Sequence, residues 1–148
     1  MDTQTVDTLK HLVETVENGQ RGFADGAAKL AKDGNPVMAA TFTELGHERA
    51  MFASELRSLH PEMFQLDDAM GTVPGAVHRG WLALKDALTG DNPHAVLDVA
   101  EQGEDHALKA FATALDSDLP DAVRAVVSRQ SAEIQAAHDT VKALRDRN

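Results

Sequence analysis

The sequence predicts an all-α protein built from four long helices, with a shorter helix between the second and the third. Apolar residues recur at spacings of three and four along four long segments, as they do on one face of an amphipathic helix. Proline or glycine stands near the ends of these segments, where helices begin and stop. The alternating pattern typical of strands is nearly absent, so helices are expected to account for the fold.

The first two long helices are predicted to form a hairpin. An apolar stripe with 3-4 spacing starts at Val6 and ends at Leu30, and the sequence Asp-Gly-Asn-Pro at 33–36 interrupts it. Pro36 suits the first turn of the next helix, which should extend from there to about His60. The residues of this second helix that are expected to face inward include Val37, Met51, Phe52, Leu56 and Leu59.

The remaining elements are a crossover helix and a second hairpin. The crossover helix is predicted from about Pro74 to Leu88. A long helix follows from about Pro93 to Asp116, and the last runs from Pro120 to near Arg145. The apolar stripe of the crossover helix consists of Val77, Trp81, Leu84 and Leu88.

Two hairpins joined by a long connection define the predicted topology. About thirty residues separate the hairpins, and a helix within them could carry the chain back along the bundle, since each helical residue adds about 1.5 Å. One long crossover between two helical hairpins is the ferritin-like arrangement. We therefore expect residues 1–148 to form a single ferritin-like four-helix bundle with an extra short helix in the crossover; a plain five-helix bundle is the alternative.

Composition narrows the classes of function. The net charge is −10, from 24 acidic and 14 basic residues, and such a surface repels nucleic-acid phosphates. No apolar run reaches the length of a membrane span, and the N-terminus does not resemble a signal peptide, so a cytoplasmic location is expected. The chain contains no cysteine, which excludes disulfides, thiolate metal sites and cysteine nucleophiles.

Polar residues interrupt the apolar stripes near the middle of every long helix. In the third long helix, Glu101 and Glu104 occupy positions that belong to the inward face. Burying an unpaired carboxylate costs several kcal/mol, so this layer must be neutralised, hydrogen-bonded or bound to metal. The candidate metal ligands are Glu17, Glu44, His47, Glu101, Glu104 and Glu133.

Glu44 and His47 match the Glu-x-x-His motif of ferritin-like di-metal sites, in which residues three apart share one helix face. Oxygen and imidazole ligands suit iron, manganese or zinc. Ala136 stands where a second such motif would need histidine. The alternative is a metal-free hydrogen-bond network. The residues that would neutralise the glutamates in it are Gln20, Arg21, Arg49 and Gln130.

Two further features suggest close packing. Gly19, Gly22 and Gly26 recur in the first helix, where glycine costs up to about 1 kcal/mol each relative to alanine. Close approach of another helix would compensate for this cost, and a homodimer face is the alternative. The segment 78–81 (His-Arg-Gly-Trp) opens the crossover helix, with Trp81 expected to pack on the bundle; a docking surface is the other interpretation.

Three motifs occur in a fairly specific order. They are His78-Arg79-Gly80-Trp81 with Leu84, Lys85 and Leu88-Thr89-Gly90, then Glu101-x-Gly103-Glu104-Asp105, then Gln130 with His138-Asp139. In this order the chain, from about Val6 to Arg145, resembles an uncharacterised bacterial family of ferritin-like four-helix-bundle proteins, a domain of unknown function. The resemblance implies a cytoplasmic protein connected with stress response, with a polar core and no defined reaction. Glu44 and His47 lie outside the family's pattern.

Two classes of function fit these residues. A metal-binding protein would use the mid-bundle ligands, and its enzyme version would carry out oxygen or peroxide chemistry at iron. A structural or interaction module would instead use the polar core to fix the register of its helices. Its partner would be a protein that the sequence does not identify.

Overall fold

The computed structural model describes residues 1–62, 81 and 83–147. Within these ranges it contains no strand, and the all-α prediction is confirmed. The helices are α1 (Thr3–Lys32), α2 (Pro36–Ser58), α3 (Leu84–Thr89), α4 (Pro93–Leu115) and α5 (Asp121–Arg147). Most of the predicted crossover helix, residues 74–80 and 82, lies outside the described residues. Across the described ranges, no helix combines the length and apolar character that a bilayer crossing requires.

Local chemistry fixes the helix ends. The carboxylate of Asp2 accepts a hydrogen bond of 2.8 Å from the Thr5 N–H and so caps α1; this bond holds the pKa of Asp2 below its ordinary value. Gly34 has a φ of 84°, a left-handed conformation that favours glycine, and it reverses the chain between α1 and α2. Pro36 and Pro93 stand in the first turns of α2 and α4, where the missing N–H costs nothing.

Two apolar clusters make up the core of the described residues, and each contains side chains from all four long helices. The first cluster joins the start of α1, the end of α2, the end of α4 and the start of α5. The second joins the opposite ends of the same helices and includes Trp81 and Leu84. Consequently α1 and α5 run in one direction, while α2 and α4 run in the other.

The inward face of α2 differs from the predicted one. Val37 and Met51 are 76 % and 65 % exposed, so the prediction that they face inward is wrong. The buried face instead includes Met38, Phe42 and, in its middle, Arg49. Phe52 and Leu56 are buried as predicted, so only part of the expected face is wrong.

Trp81 packs in a slot between α1 and α4. Its indole is 2 % exposed and meets the ring of Phe23 edge-on, with the centroids 5.1 Å apart. Gly22 and Gly103 form the walls of the slot, and a methyl group on either glycine would overlap the indole ring. The prediction that Trp81 packs against the helices is confirmed, whereas His78, Arg79 and Gly80 lie outside the described residues.

Candidate functional site

A buried ion pair occupies the centre of the molecule between the two apolar clusters. Arg49 Nη1 donates to Oε1 of Glu104 over 2.6 Å, and Nη2 donates to Oε2 over 2.5 Å. Both side chains are excluded from solvent. The guanidinium carbon also lies 5.3 Å from the centroid of the Phe23 ring, a favourable cation–π arrangement. The carboxylate of Glu104 is therefore neutralised by an internal cation with matched, two-pronged geometry.

This pairing bears on the proposed mid-bundle metal site. Both carboxylate oxygens of Glu104 accept hydrogen bonds from Arg49. A metal ion at Glu104 would have to displace the guanidinium and leave a buried cation without its partner, which is strongly unfavourable. Glu104 therefore does not fit the role of a metal ligand in this arrangement.

The other candidate ligands on α1 and α5 are also engaged by arginine. Arg57 Nη2 lies 3.0 Å from both oxygens of Glu17. Arg129 Nη1 donates to Glu133 Oε2 over 3.1 Å, on a largely exposed side of α5. These pairs place positive charge where a metal ion would otherwise be attracted.

Glu44 and His47 share one face of α2, as their spacing predicts, but both are exposed. Their expected inward orientation is wrong because α2 turns the face containing Arg49 toward the core. The structure therefore does not bring the six candidate ligands together at one point.

Glu48 is a half-buried acidic residue that was not among the ligands predicted from the sequence. Its Oε1 is excluded from solvent and has no hydrogen-bond partner among the described residues. Burial raises the pKa of the Glu48 carboxyl; the charge of Arg49 opposes this shift, whereas those of Glu133 and Glu104 reinforce it. The seam between α2 and α5 thus contains a carboxyl that is unfavourable to ionise.

Gln130 joins α5 to α2 beside this seam. Its Nε2 donates to Glu55 Oε1 over 2.8 Å and, more weakly, to the Phe52 carbonyl oxygen over 3.3 Å. Arg129 also pairs with Glu55. Arg49 and Gln130, two of the four residues expected to neutralise buried glutamates, therefore do bind glutamates.

Glu101, Asp105 and His138 converge where α4 packs against α5. Nε2 of His138 lies 2.8 Å from Oδ1 of Asp105 and 3.8 Å from Oε1 of Glu101. One ligand atom from each residue lies within 4.8 Å of the others. Glu101 and His138 are mostly buried, while Asp105 is 63 % exposed and opens the group to solvent.

Helix geometry accounts for this convergence. Glu101 and Asp105 are four residues apart and so share one face of α4. His138 approaches from the antiparallel helix α5, and its Nδ1 lies 3.5 Å from Oδ1 of Asp139. A proton on Nδ1 facing Asp139 would leave the lone pair of Nε2 directed at the two carboxylates.

Arg145, about two helical turns after His138 on α5, reaches one carboxylate of this group, that of Glu101. Its Nη1 forms a close ion pair with Oε2 of Glu101. Its Nε lies 3.9 Å from Oδ1 of Asp98, and its Nη2 donates to Asp146 over 3.2 Å. Glu101 thus has His138 near one oxygen and Arg145 at the other.

Sequence comparison places the first four helices of the described ranges in a known family. A family model described as "Domain of unknown function (DUF2383)" matches residues 4–117. The matched range contains Arg49, Glu101, Glu104 and Asp105, and it ends before α5 and His138. Comparison with curated proteins gives no significant match.

Proposed function

Because the chain belongs to the DUF2383 family, whose description names no reaction, we propose a function from its own side chains: it binds one divalent metal ion at Glu101, Asp105 and His138. The observation that carries the proposal is the convergence of two carboxylates and one imidazole within 4.8 Å. Three protein ligands from two helices would tie α4 to α5, and solvent at the exposed Asp105 would complete the coordination.

The donor set indicates the class of metal. Two carboxylate oxygens and one imidazole nitrogen suit zinc, manganese or ferrous iron. Asp139 beside Nδ1 of His138 supplies the outer carboxylate that commonly orients a metal-binding histidine.

The proposed site holds a single ion and differs from the mid-bundle layer. Of the six ligands expected from the sequence, it retains Glu101. A dinuclear centre through Glu17, Glu44, His47, Glu104 and Glu133 has less support, because Arg49 occupies Glu104 and α2 exposes the Glu-x-x-His pair. Oxygen or peroxide chemistry at iron would need such a centre or an open position on the single ion.

The ferritin-like arrangement is part of the same proposal. Its support is the shared direction of α2 and α4, because the end of α2 and the beginning of α4 lie at opposite ends of the helices. We further propose that residues 1–148 form one such domain. A bacterial origin and a connection with stress response are proposed from the family resemblance, as is a cytoplasmic location, which the sequence features also led us to expect.

The second candidate function is a metal-free structural or interaction module. The Arg49–Glu104 pair favours it, because this pair neutralises the buried glutamate without an ion. Gln130 adds a second polar link between helices. In such a module the polar core would fix the helix register, and a protein partner or a second copy would bind at the surface.

Metal titration of tag-free protein separates these functions. We would measure binding of Zn²⁺, Mn²⁺ and, without oxygen, Fe²⁺ by calorimetry, with metal content checked by plasma mass spectrometry. His138→Gln removes the proposed nitrogen ligand, and His47→Gln is the matched control on the exposed α2 motif. The proposal expects one ion per chain, lost in H138Q and retained in H47Q.

The opposite pattern, loss in H47Q and retention in H138Q, would overturn the proposed site in favour of the Glu-x-x-His motif. Absence of binding by the wild-type protein for all three metals would leave the metal-free module as the function. Circular dichroism of both variants would verify that each keeps its helices.

A further inference from the structure

We propose that Arg145 is an intramolecular competitor for the metal ion at Glu101, and that metal binding moves its guanidinium toward Asp98. This inference rests on the proposed function and adds a regulatory element to that site. Arg145 binds the same carboxylate that the metal would need, from the last turns of α5. Occupancy of the site would therefore be coupled to the contacts of the C-terminal end of this helix.

The geometry around Glu101 supports competition. Oε2 of Glu101 pairs with Nη1 of Arg145, while Oε1 faces Nε2 of His138 at 3.8 Å. A cation bound between Glu101 and His138 would lie within a few ångströms of the guanidinium. Because like charges at this distance repel, and because Glu101 is mostly buried, the two cations would destabilise each other.

Arg145 has other carboxylates within reach, so its displacement from Glu101 costs little free energy. Its Nε already lies 3.9 Å from Oδ1 of Asp98, which is one turn before Glu101 on α4. Asp146 accepts a hydrogen bond from Nη2. A small rotation of the side chain could therefore exchange Glu101 for Asp98 while the guanidinium stays paired with a carboxylate.

Asp98 is suited to receive the guanidinium. Its other oxygen, Oδ2, lies 3.3 Å from Nδ1 of His94, one turn earlier on α4. This contact helps to fix the position of the Asp98 carboxylate. It is also part-exposed, which lowers the cost of rearranging charges around it. The helix α4 thus supplies Glu101 and Asp105 to the metal and Asp98 to the displaced arginine.

Zn²⁺ affinity of the full-length chain tests the inference, measured by competition with a chromophoric chelator. Arg145→Gln removes the competing charge, and Arg147→Gln removes the same charge from an exposed position at the same helix end. We expect R145Q to bind Zn²⁺ on the order of tenfold more tightly than wild type, given the screening of charges near a protein surface. R147Q and the charge-conserving Arg145→Lys should stay near the wild-type affinity.

A second measurement follows the side chain itself. The nitrogen-bound proton of Arg145 Nε gives an NMR signal that can be assigned by its loss in R145Q. Addition of Zn²⁺ to wild-type protein should shift this signal, and Asp98→Asn should weaken Zn²⁺ binding because it removes the receiving carboxylate. An unmoved signal at full Zn²⁺ occupancy would overturn the inference.

The affinities also separate this inference from the proposed function. If wild type binds Zn²⁺ and R145Q binds it equally or more weakly, Arg145 does not compete and only the inference fails. If R147Q tightens binding as much as R145Q, the effect is one of net charge and the inference again fails. If neither wild type nor R145Q binds Zn²⁺, the proposed metal function fails and the inference fails with it.

Discussion

The guanidinium of Arg49 and the carboxylate of Glu104 face each other through two parallel hydrogen bonds that join α2 to α4 at the centre of the molecule. Water reaches neither side chain. Desolvation of two charges offsets much of the attraction between them, so we expect the pair to contribute more to the choice of one helix register than to net stability. A shift of either helix by one turn would separate the two charges inside an apolar environment.

Breaking this pair should be costly, whereas removing it altogether should not. Glu104→Gln leaves the guanidinium of Arg49 buried without a counter-charge, and we expect it to lower the free energy of unfolding by about 3–5 kcal/mol. The double variant Arg49→Met/Glu104→Leu removes both charges and should recover most of this loss. Urea unfolding followed by circular dichroism measures both effects.

Glu133→Gln is the control for the buried pair, because it breaks the exposed contact with Arg129. An exposed pair of this kind contributes about 0–1 kcal/mol. If E104Q were no more destabilising than E133Q, the Arg49–Glu104 pair would not be buried and bidentate in solution.

The glycine slot of Trp81 should be intolerant of a single methyl group. Gly22→Ala and Gly103→Ala each place a Cβ where the indole ring lies, so the tryptophan must move. We expect each variant to lose about 1–3 kcal/mol of stability, as overpacked cores do. Trp81 is the chain's single tryptophan, so a red shift of its emission would report the displacement directly.

Gly46→Ala is the matched control for the slot. A Cβ there would have its nearest neighbours at 3.5 Å, an ordinary contact, and alanine is the better helix former by up to about 1 kcal/mol. G46A should therefore leave the emission unchanged and the stability equal or higher. Unaltered emission in both G22A and G103A would contradict the packing of Trp81 between α1 and α4.

Glu48 should make the protein less stable as pH rises. Burial raises the pKa of this carboxyl in the folded state above its value in the unfolded chain. The folded state then binds this proton more tightly than the unfolded chain does, so protonation of Glu48 stabilises the fold. This stabilisation is fully present below about pH 4 and is lost as pH rises through the folded-state pKa. Glu48→Gln removes this dependence and should stabilise the protein near pH 7, by about 0.5 kcal/mol because the half-buried carboxyl is partly screened.

The measurement for Glu48 is the urea midpoint of wild type and E48Q between pH 4 and pH 7.5. Their difference should shrink toward zero at the acid end. Glu44→Gln, on an exposed position one turn earlier, is the control and should show no such trend. A constant difference between wild type and E48Q across this range would contradict the raised pKa.

Periodicity predicted the helices well, but it did not fix the rotation of α2. The stripe through Val37 and Met51 looked inward because it contained apolar residues, yet both are exposed. The true inward face includes Arg49, which no apolar pattern would select. A buried arginine is stable there only because Glu104 approaches from α4, and pairing between distant helices is not visible in the spacing of one helix.

The candidate metal site also depends on contacts between two helices, which the spacing within one helix does not reveal. Helix spacing placed Glu101 on the inward face of α4, where its carboxylate lies 3.8 Å from His138. The predicted ligand set nevertheless omitted His138, because five residues separate it from Glu133 and the two point in different directions. Asp105 was also omitted, since its outward position became relevant only once α5 was seen to pack beside it.

Two apolar clusters lie on either side of one ion pair, so substitutions in one cluster can be tolerated independently of those in the other. Each cluster contains side chains from all four long helices, and no residue belongs to both. Substitutions at one end are therefore insulated from those at the other, as distant sites without shared partners usually are. Either end can therefore accumulate substitutions in its core or surface independently, while the central pair keeps α2 and α4 in register.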